Sequence, residues 1–244
     1  MKNILSVFKR EINGYFNTPI AYVFIVIFLF LQAIFTFQIF KFYQAGQADL
    51  SAVFGIHPWL FLFLIPAISM RLWAEERKSG TIELLMTLPI SVFEAVVGKY
   101  LAAWAFIAVA LILTFPFWIM VCALGDPDNG VIFASYLGSF LMAGAYLAVG
   151  SAVSAATKDQ IIAFVITVLI CFVLVIIGFS GFVSAFSDYL PISVLDNIAA
   201  FSFLTHFQEI TKGVFQLSDA IYFASFIAAG LFINVLFVDM FKSR

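Results

Sequence analysis

Charge is the scarcest property of this chain. Only 11% of its 244 residues are Asp, Glu, Lys or Arg, against roughly 25% in soluble domains. With 64% hydrophobic residues and 32 Phe, a water-soluble fold of this size could not hide its apolar surface. Cysteine is nearly absent. Cys122 and Cys171 fall at the end and in the middle of apolar runs, the pattern of small buried hydrophobes rather than of a disulfide or metal site. No Gly-x-x-x-x-Gly-Lys-Ser/Thr element occurs, so the chain does not itself cradle nucleotide phosphates.

What is present is a succession of apolar runs of about 20 residues, the length that crosses a hydrocarbon core. Six are legible, over 20–40, 58–73, 98–124, 131–156, 161–180 and 220–238. The expected fold is all-α, a polytopic membrane protein forming one domain over 1–244. Its parts are an interfacial helix (1–17), spans one to five (18–180), an outer re-entrant segment (181–217), and a sixth span with its tail (218–244). The first run is longer than a signal-peptide core of about 7–15 residues, and no small-residue cleavage site follows it. The span interiors hold almost no ionisable groups, which argues against a proton- or ion-coupled transporter. Placing the N-terminus inside puts ten of the twelve basic residues on the inner face. Only Lys41 and Lys212 then lie outside, so both termini are expected to be cytoplasmic.

Local signals refine this outline. Ile4, Leu5, Phe8, Ile12, Tyr15 and Phe16 recur at three- and four-residue steps, as in a helix lying in the membrane interface. Thr18-Pro19 supplies a cap and a first-turn proline for span one. Ser91-Val92-Phe93-Glu94 is a capping box that starts span three at Val92. Thr157-Lys158-Asp159-Gln160 offers a second box for span five. Running unbroken to Leu124, span three would be about 50 Å long, and its first turns would project into the cytoplasm. Span four carries Gly144, Ala148, Ser151, Ala152 and Ala155 on a small-residue face, suited to packing inside the bundle or to dimerisation. Asp188, Pro191, Asp196, Asn197, Glu209 and Lys212 interrupt the apolar 181–217 segment, which reads as two short helices dipping into the outer leaflet.

Two stretches invite a catalytic reading. Gly178-Phe179-Ser180-Gly181 resembles the GxSG pattern of rhomboid-type intramembrane serine proteases. Those enzymes need a histidine on a late span, and 220–238 has none, while His57 and His206 fall in expected outer loops. An intramembrane serine-type enzyme using Ser180 is the alternative function. His206 and Glu209 stand one helical turn apart like half a metal site, but no further ligands cluster with them. No metal site, catalytic residue or nucleic-acid partner is expected.

The charge that does exist is concentrated. Arg71, Glu75, Glu76, Arg77, Lys78 and Glu83 are six of the 26 charged residues. Gly80 and Pro89 then bracket TIELLMTL. Ile82, Leu85 and Met86 share one helical face, as do Leu84 and Leu88, while Thr81, Glu83 and Thr87 are polar. That describes a short amphipathic helix across the ends of spans two and three. A plain connection needs only a few residues; this one takes about twenty.

The stretch RLWAEERKSGTIELLMTLPISVFEAVVGKYLAA resembles the signature region of ABC-2-type transporter permeases, the membrane subunits of ATP-driven exporters. The matching positions are Glu75 or Glu76, Gly80, Thr81, Glu83, Leu84, Leu85, Pro89, Gly98 and Lys99. SAATKDQIIAF, with Ser154, Thr157, Gln160 and Ala163, resembles the family's motif between spans four and five. FKREINGYFNTPIAYV and ITKGVFQLSDAIYF are similar to the gliding-motility-associated permeases. The resemblance implies a non-catalytic subunit whose coupling helix (Glu75, Glu76, Arg77, Lys78, Gly80, Thr81, Glu83, Leu84, Leu85, Met86, Leu88 and Pro89) meets a separate ABC-type ATPase. Lys9, Arg10 and Glu11 would be a second contact, and Phe201, Phe203, Lys212 and Gly213 an outer gate. It further implies a permease homodimer in a bacterial inner membrane, with a possible periplasmic or membrane-anchored auxiliary protein. ATP and Mg would be held by the ATPase, with no cofactor in this chain. The output would be export or transmitted force. The outer segments carry seven acidic side chains against two lysines, a face for a basic partner or simply a solvated one.

Overall fold

The computed structural model describes residues 2–46, 48–87, 89–187, 189–214 and 216–242, without the side chains of Ala45, Leu84, Leu85, Met86, Phe241 and Lys242. Leu88, Asp188 and Arg244 of the sequence reading, and the side-chain faces assigned to Leu84, Leu85 and Met86, lie outside the described residues. In chain order the helices are α1 (Lys2–Phe16), α2 (Pro19–Ile34), α3 (Phe42–Ala45), α4 (Ser51–Gly55), α5 (His57–Ser69) and α6 (Arg71–Ser79). Next come α7 (Thr81–Thr87), α8 (Val92–Ile112), α9 (Phe115–Leu124), α10 (Asn129–Ala156) and α11 (Gln160–Ile176). The last four are α12 (Ser180–Phe186), α13 (Ile192–Ala199), α14 (Phe203–Thr211) and α15 (Leu217–Lys242). Among the described residues there is no strand.

Among the described residues, five helical stretches are long and apolar enough to cross a membrane: Pro19–Gln44, His57–Ser79, Val92–Leu124, Asn129–Ala156 and Leu217–Met240. The 17-residue α11 and α12, bent from it by 71°, make a sixth when the pair is taken as one broken span. The second and fourth stretches, which contain α5 and α10, are 67% buried, whereas those of α2 and α15 are 22% buried. So α5 and α10 form the centre and the others wrap them. α2 shows how the sequence sets this up. Ala21, Ile25, Phe28 and Gln32 recur at helical spacing and are buried, while Val23, Val26, Ile27 and Phe30 look outward. Because lipid is as apolar as the core, close packing rather than water exclusion joins these helices. Gly144, Ala148, Ser151, Ala152 and Ala155 are all buried within the chain, so the small face of α10 serves the bundle. A side chain at Gly230 of α15 would collide with the Ala148 backbone.

The helix ends follow the sequence in some places and depart from it in others. Ser91 and Glu94 form the expected reciprocal box at the start of α8. Thr18 precedes Pro19 as expected, but its hydroxyl donates back to the Tyr15 carbonyl at 2.9 Å instead of capping α2. Span five starts at Gln160, capped by the Asp159 carboxylate accepting from Ile161 and Ile162. The box beginning at Thr157 does not form, because α10 runs to Ala156 and Thr157 bonds back to Val153. Span three is broken at Leu113-Thr114, since Pro116 has no N–H and its ring crowds the preceding turn. α8 alone, at 21 residues, already reaches about 31 Å. The outer segment holds three short helices rather than two. α14 is sunk into the bundle through Phe203, Leu204, Phe207 and Ile210, whereas α12 buries none of its residues. His57 is not in a loop: it opens α5, fully buried, with Nδ1 2.7 Å from the Ser139 hydroxyl.

Candidate coupling site

The charged segment from Arg71 to Glu83 emerges from the centre of the bundle. α6 continues α5 with only Met70 between them, so the helix carrying the charges is an extension of a buried span. A helix start leaves backbone N–H groups without partners. Here α10 supplies one: the Ser154 hydroxyl accepts from the amides of Trp73 and Ala74, both at 3.1 Å, and donates to the Met70 carbonyl. α6 returns a cap to α10. Arg77 donates to the carbonyls of Ala155 (2.7 Å) and Thr157 (3.0 Å), where the C-terminal end of α10 carries partial negative charge. Each helix therefore closes an open end of the other.

A second joint reaches α1 and α8. Lys99 of α8 is 3% exposed and lies 2.7 Å from Glu76 and 3.4 Å from Glu11. Arg10 pairs with Glu11 at 2.6 Å and approaches Glu76 at 3.9 Å. The Lys99 ammonium also stands 5.2 Å from the Trp73 ring centre, a cation–π contact. Burial raises the Glu11 carboxyl, but Lys99 and Arg10 outweigh it and hold Glu11 below the usual carboxylate range. Gly98 makes the joint possible, because a β-carbon there would sit 2.7 Å from Val7 and 3.1 Å from the Ile4 carbonyl. Adjacent residues thus bring α1 close (Gly98) and lock it to α6 (Lys99). Asn3 adds a bond to Glu94 at 3.1 Å. Between α1, α6 and α8 lies a cavity of about 230 Å³ bordered by Glu11, Tyr15, Arg71, Glu75, Glu76 and Lys99.

Beyond the joints the chain turns outward. Gly80 takes the left-handed conformation (φ 74), which lets α7 leave α6 at once. Thr81, Glu83 and Thr87 are exposed on α7, and Ile82 packs partly against the core. Glu75 is held by Arg71 through two contacts of 2.8 and 3.1 Å, and Lys78 and Pro89 are exposed. Glu76, Arg77 and Ser154 thus face inward, whereas Lys9, Lys78, Thr81 and Glu83 face out. Arg10 does both, being half exposed. Thr157 is half-buried beside Arg77, and Gln160 is the half-buried first residue of α11. The capping role of Ser154 and the anchoring of α1 by Asn3 were not visible in sequence. The hints were Lys99, the one cation of α8, and Ser154, a position of the motif between spans four and five.

The four residues expected at an outer gate lie at the opposite end of the bundle, on or beside α14. Phe203 is buried against Tyr146, Tyr222, Phe223 and Phe226, while Phe201 is exposed. Lys212 pairs with Glu209 at 2.8 Å, and Gly213 (φ 84) lies against Val131. His206 bonds Asp219 at 2.7 Å and the Ala200 carbonyl at 2.9 Å, so both ring nitrogens are engaged away from Ser180. Among the described residues no group of three or more His, Cys, Asp or Glu side chains could hold a metal.

Fold and joints together define a multi-pass helical membrane protein with a charged helical extension at one end. A family model described as ABC-2 family transporter protein matches residues 15–240, and the chain belongs to that family. It is a permease-type component of an ABC transporter, a part of the membrane transport machinery. No curated protein matched the chain.

Proposed function

We propose that α7 is the coupling helix of this permease and docks on a separate ABC-type ATPase, which holds the ATP and Mg. The observation that supports this reading most directly is the double anchoring of α6. A push on α7 reaches α10 through Arg77 and Ser154, and α1 and α8 through Glu76 and Lys99. Exposed Glu83, Thr81 and Lys78 would face the ATPase, with Lys9 and Arg10 as a second contact. Glu76 and Arg77 transmit the motion from inside the chain. The charged end then faces the cytoplasm of a bacterial cell, with the protein in the inner membrane and both termini cytoplasmic.

The whole chain works as one transmembrane domain, paired with a second copy, and closes or opens toward the outside through the segment containing Phe201, Phe203, Lys212 and Gly213. The likeness of its opening and late segments to gliding-motility permeases favours a role in export or in force transmission to an auxiliary periplasmic or membrane-anchored protein. Mild-detergent purification of the tagged chain from native membranes tests the assignment. A stoichiometric ABC-type ATPase that is lost with Glu83→Arg is the expected result. Absence of any ATPase from intact complexes would overturn it and return attention to Ser180.

A further inference from the structure

We infer that the flank of α1 and α8 is a binding site for an anionic phospholipid of the leaflet at the charged end. A groove of about 590 Å³ runs between the two helices, lined by Lys2, Ile4, Leu5, Phe8, Val97 and Leu101. That volume falls in the range of small-molecule sites. Apart from Lys2 the lining is aliphatic or aromatic, which suits an acyl chain and nothing polar. The groove is built into the packing of the two helices. Asn3 ties the first turn of α1 to Glu94, and the close approach at Gly98 brings Ile4 and Val7 onto α8. Leu5, half exposed, and Phe8 are left standing as an outer wall.

Charge selects the headgroup. Lys2 closes one end of the groove. Lys9 is seven residues on, two turns along the same side of the helix. Both are exposed, and no ion pair is described for either among the described residues. α2 begins only two residues after α1 ends, so α1 lies where the first span meets the membrane surface. Two free ammonium groups beside an apolar slot at that depth complement a lipid phosphate whose chain fills the slot. The site rests on the membrane-spanning fold; it shares Lys9 with the proposed second ATPase contact, so the test uses the permease without any ATPase. The lipid would also brace the helix that carries Arg10 and Glu11 into the ionic joint.

The test reconstitutes the full chain in phosphatidylcholine vesicles carrying a trace of phosphatidylglycerol with a photoreactive acyl chain, and maps the labelled residues by mass spectrometry. Labelling should concentrate on Leu5, Phe8, Val97 and Leu101 and exceed that from a phosphatidylcholine probe with the same chain. Lys2→Gln and Lys9→Gln, both at exposed positions, should each reduce it about fivefold. Leu101→Trp should block it with the lysines intact. Equal labelling by both probes, or no excess over the exposed α11 residues Ile161, Val165 and Leu169, would overturn the proposal. So would cross-linking of the groove residues to a second copy of the chain.

Discussion

Lys99 is nearly out of reach of solvent, yet its ammonium is satisfied by Glu76 and Glu11. Removing one partner of a buried charge group strands the others. Lys99→Met should therefore destabilise the protein by about 3 kcal/mol, seen as a lower unfolding temperature in detergent. Adding Glu76→Gln should recover part of that loss, because one stranded charge disappears. A purely additive double variant would show that the contact carries no energy. Glu11 supplies a pH signature. Its folded carboxyl is held below the ordinary value of about 4.3, so its contribution is present above that value and is lost as pH falls through the depressed one. Spin labels on exposed Ser6 and Phe93 should report a constant α1–α8 distance at neutral pH and a broadened one below about pH 4.

The exchange of caps between α6 and α10 converts two helices into one lever. Ser154→Ala should leave two amides of α6 without an acceptor, at a cost of about 1–2 kcal/mol. Hydrogen exchange at Trp73 and Ala74 should rise while the middle of α10 stays protected; unchanged exchange there would separate Ser154 from the lever. Much at this scale was legible beforehand. Ser91 and Glu94 announced the start of α8, and Gly80 announced the turn into α7, because those signals are local. The break before Pro116 was equally local, and the unbroken span three overlooked it. Asp159 displaced Thr157 as a cap because the end of α10 could not be located from spacing alone. The partners of Ser154, Arg77 and Lys99 stand 81, 78 and 23 residues away, and no single-chain pattern fixes contacts at that separation. His57 looked like a loop residue for the same reason. Its partner, Ser139, lies across the bundle.

Across the whole molecule, the central helices α5 and α10 are the ones to which the charged extension is joined, and the outer helices present lipid-facing surfaces. If α7 is the coupling helix proposed above, it would move with its ATPase, α6 would carry the motion, and the two joints would distribute it to α10 and to the α1–α8 pair. The most direct measurement is ATP turnover by the ATPase reconstituted with the permease, comparing the native chain with Leu85→Pro. Proline inside α7 removes a backbone donor and breaks the helix, while the spans and both joints are untouched. Stimulated turnover should fall to the level of the ATPase alone, with insertion and yield of the permease unchanged. Full stimulation by the proline variant would contradict the assignment of α7 as the coupling element.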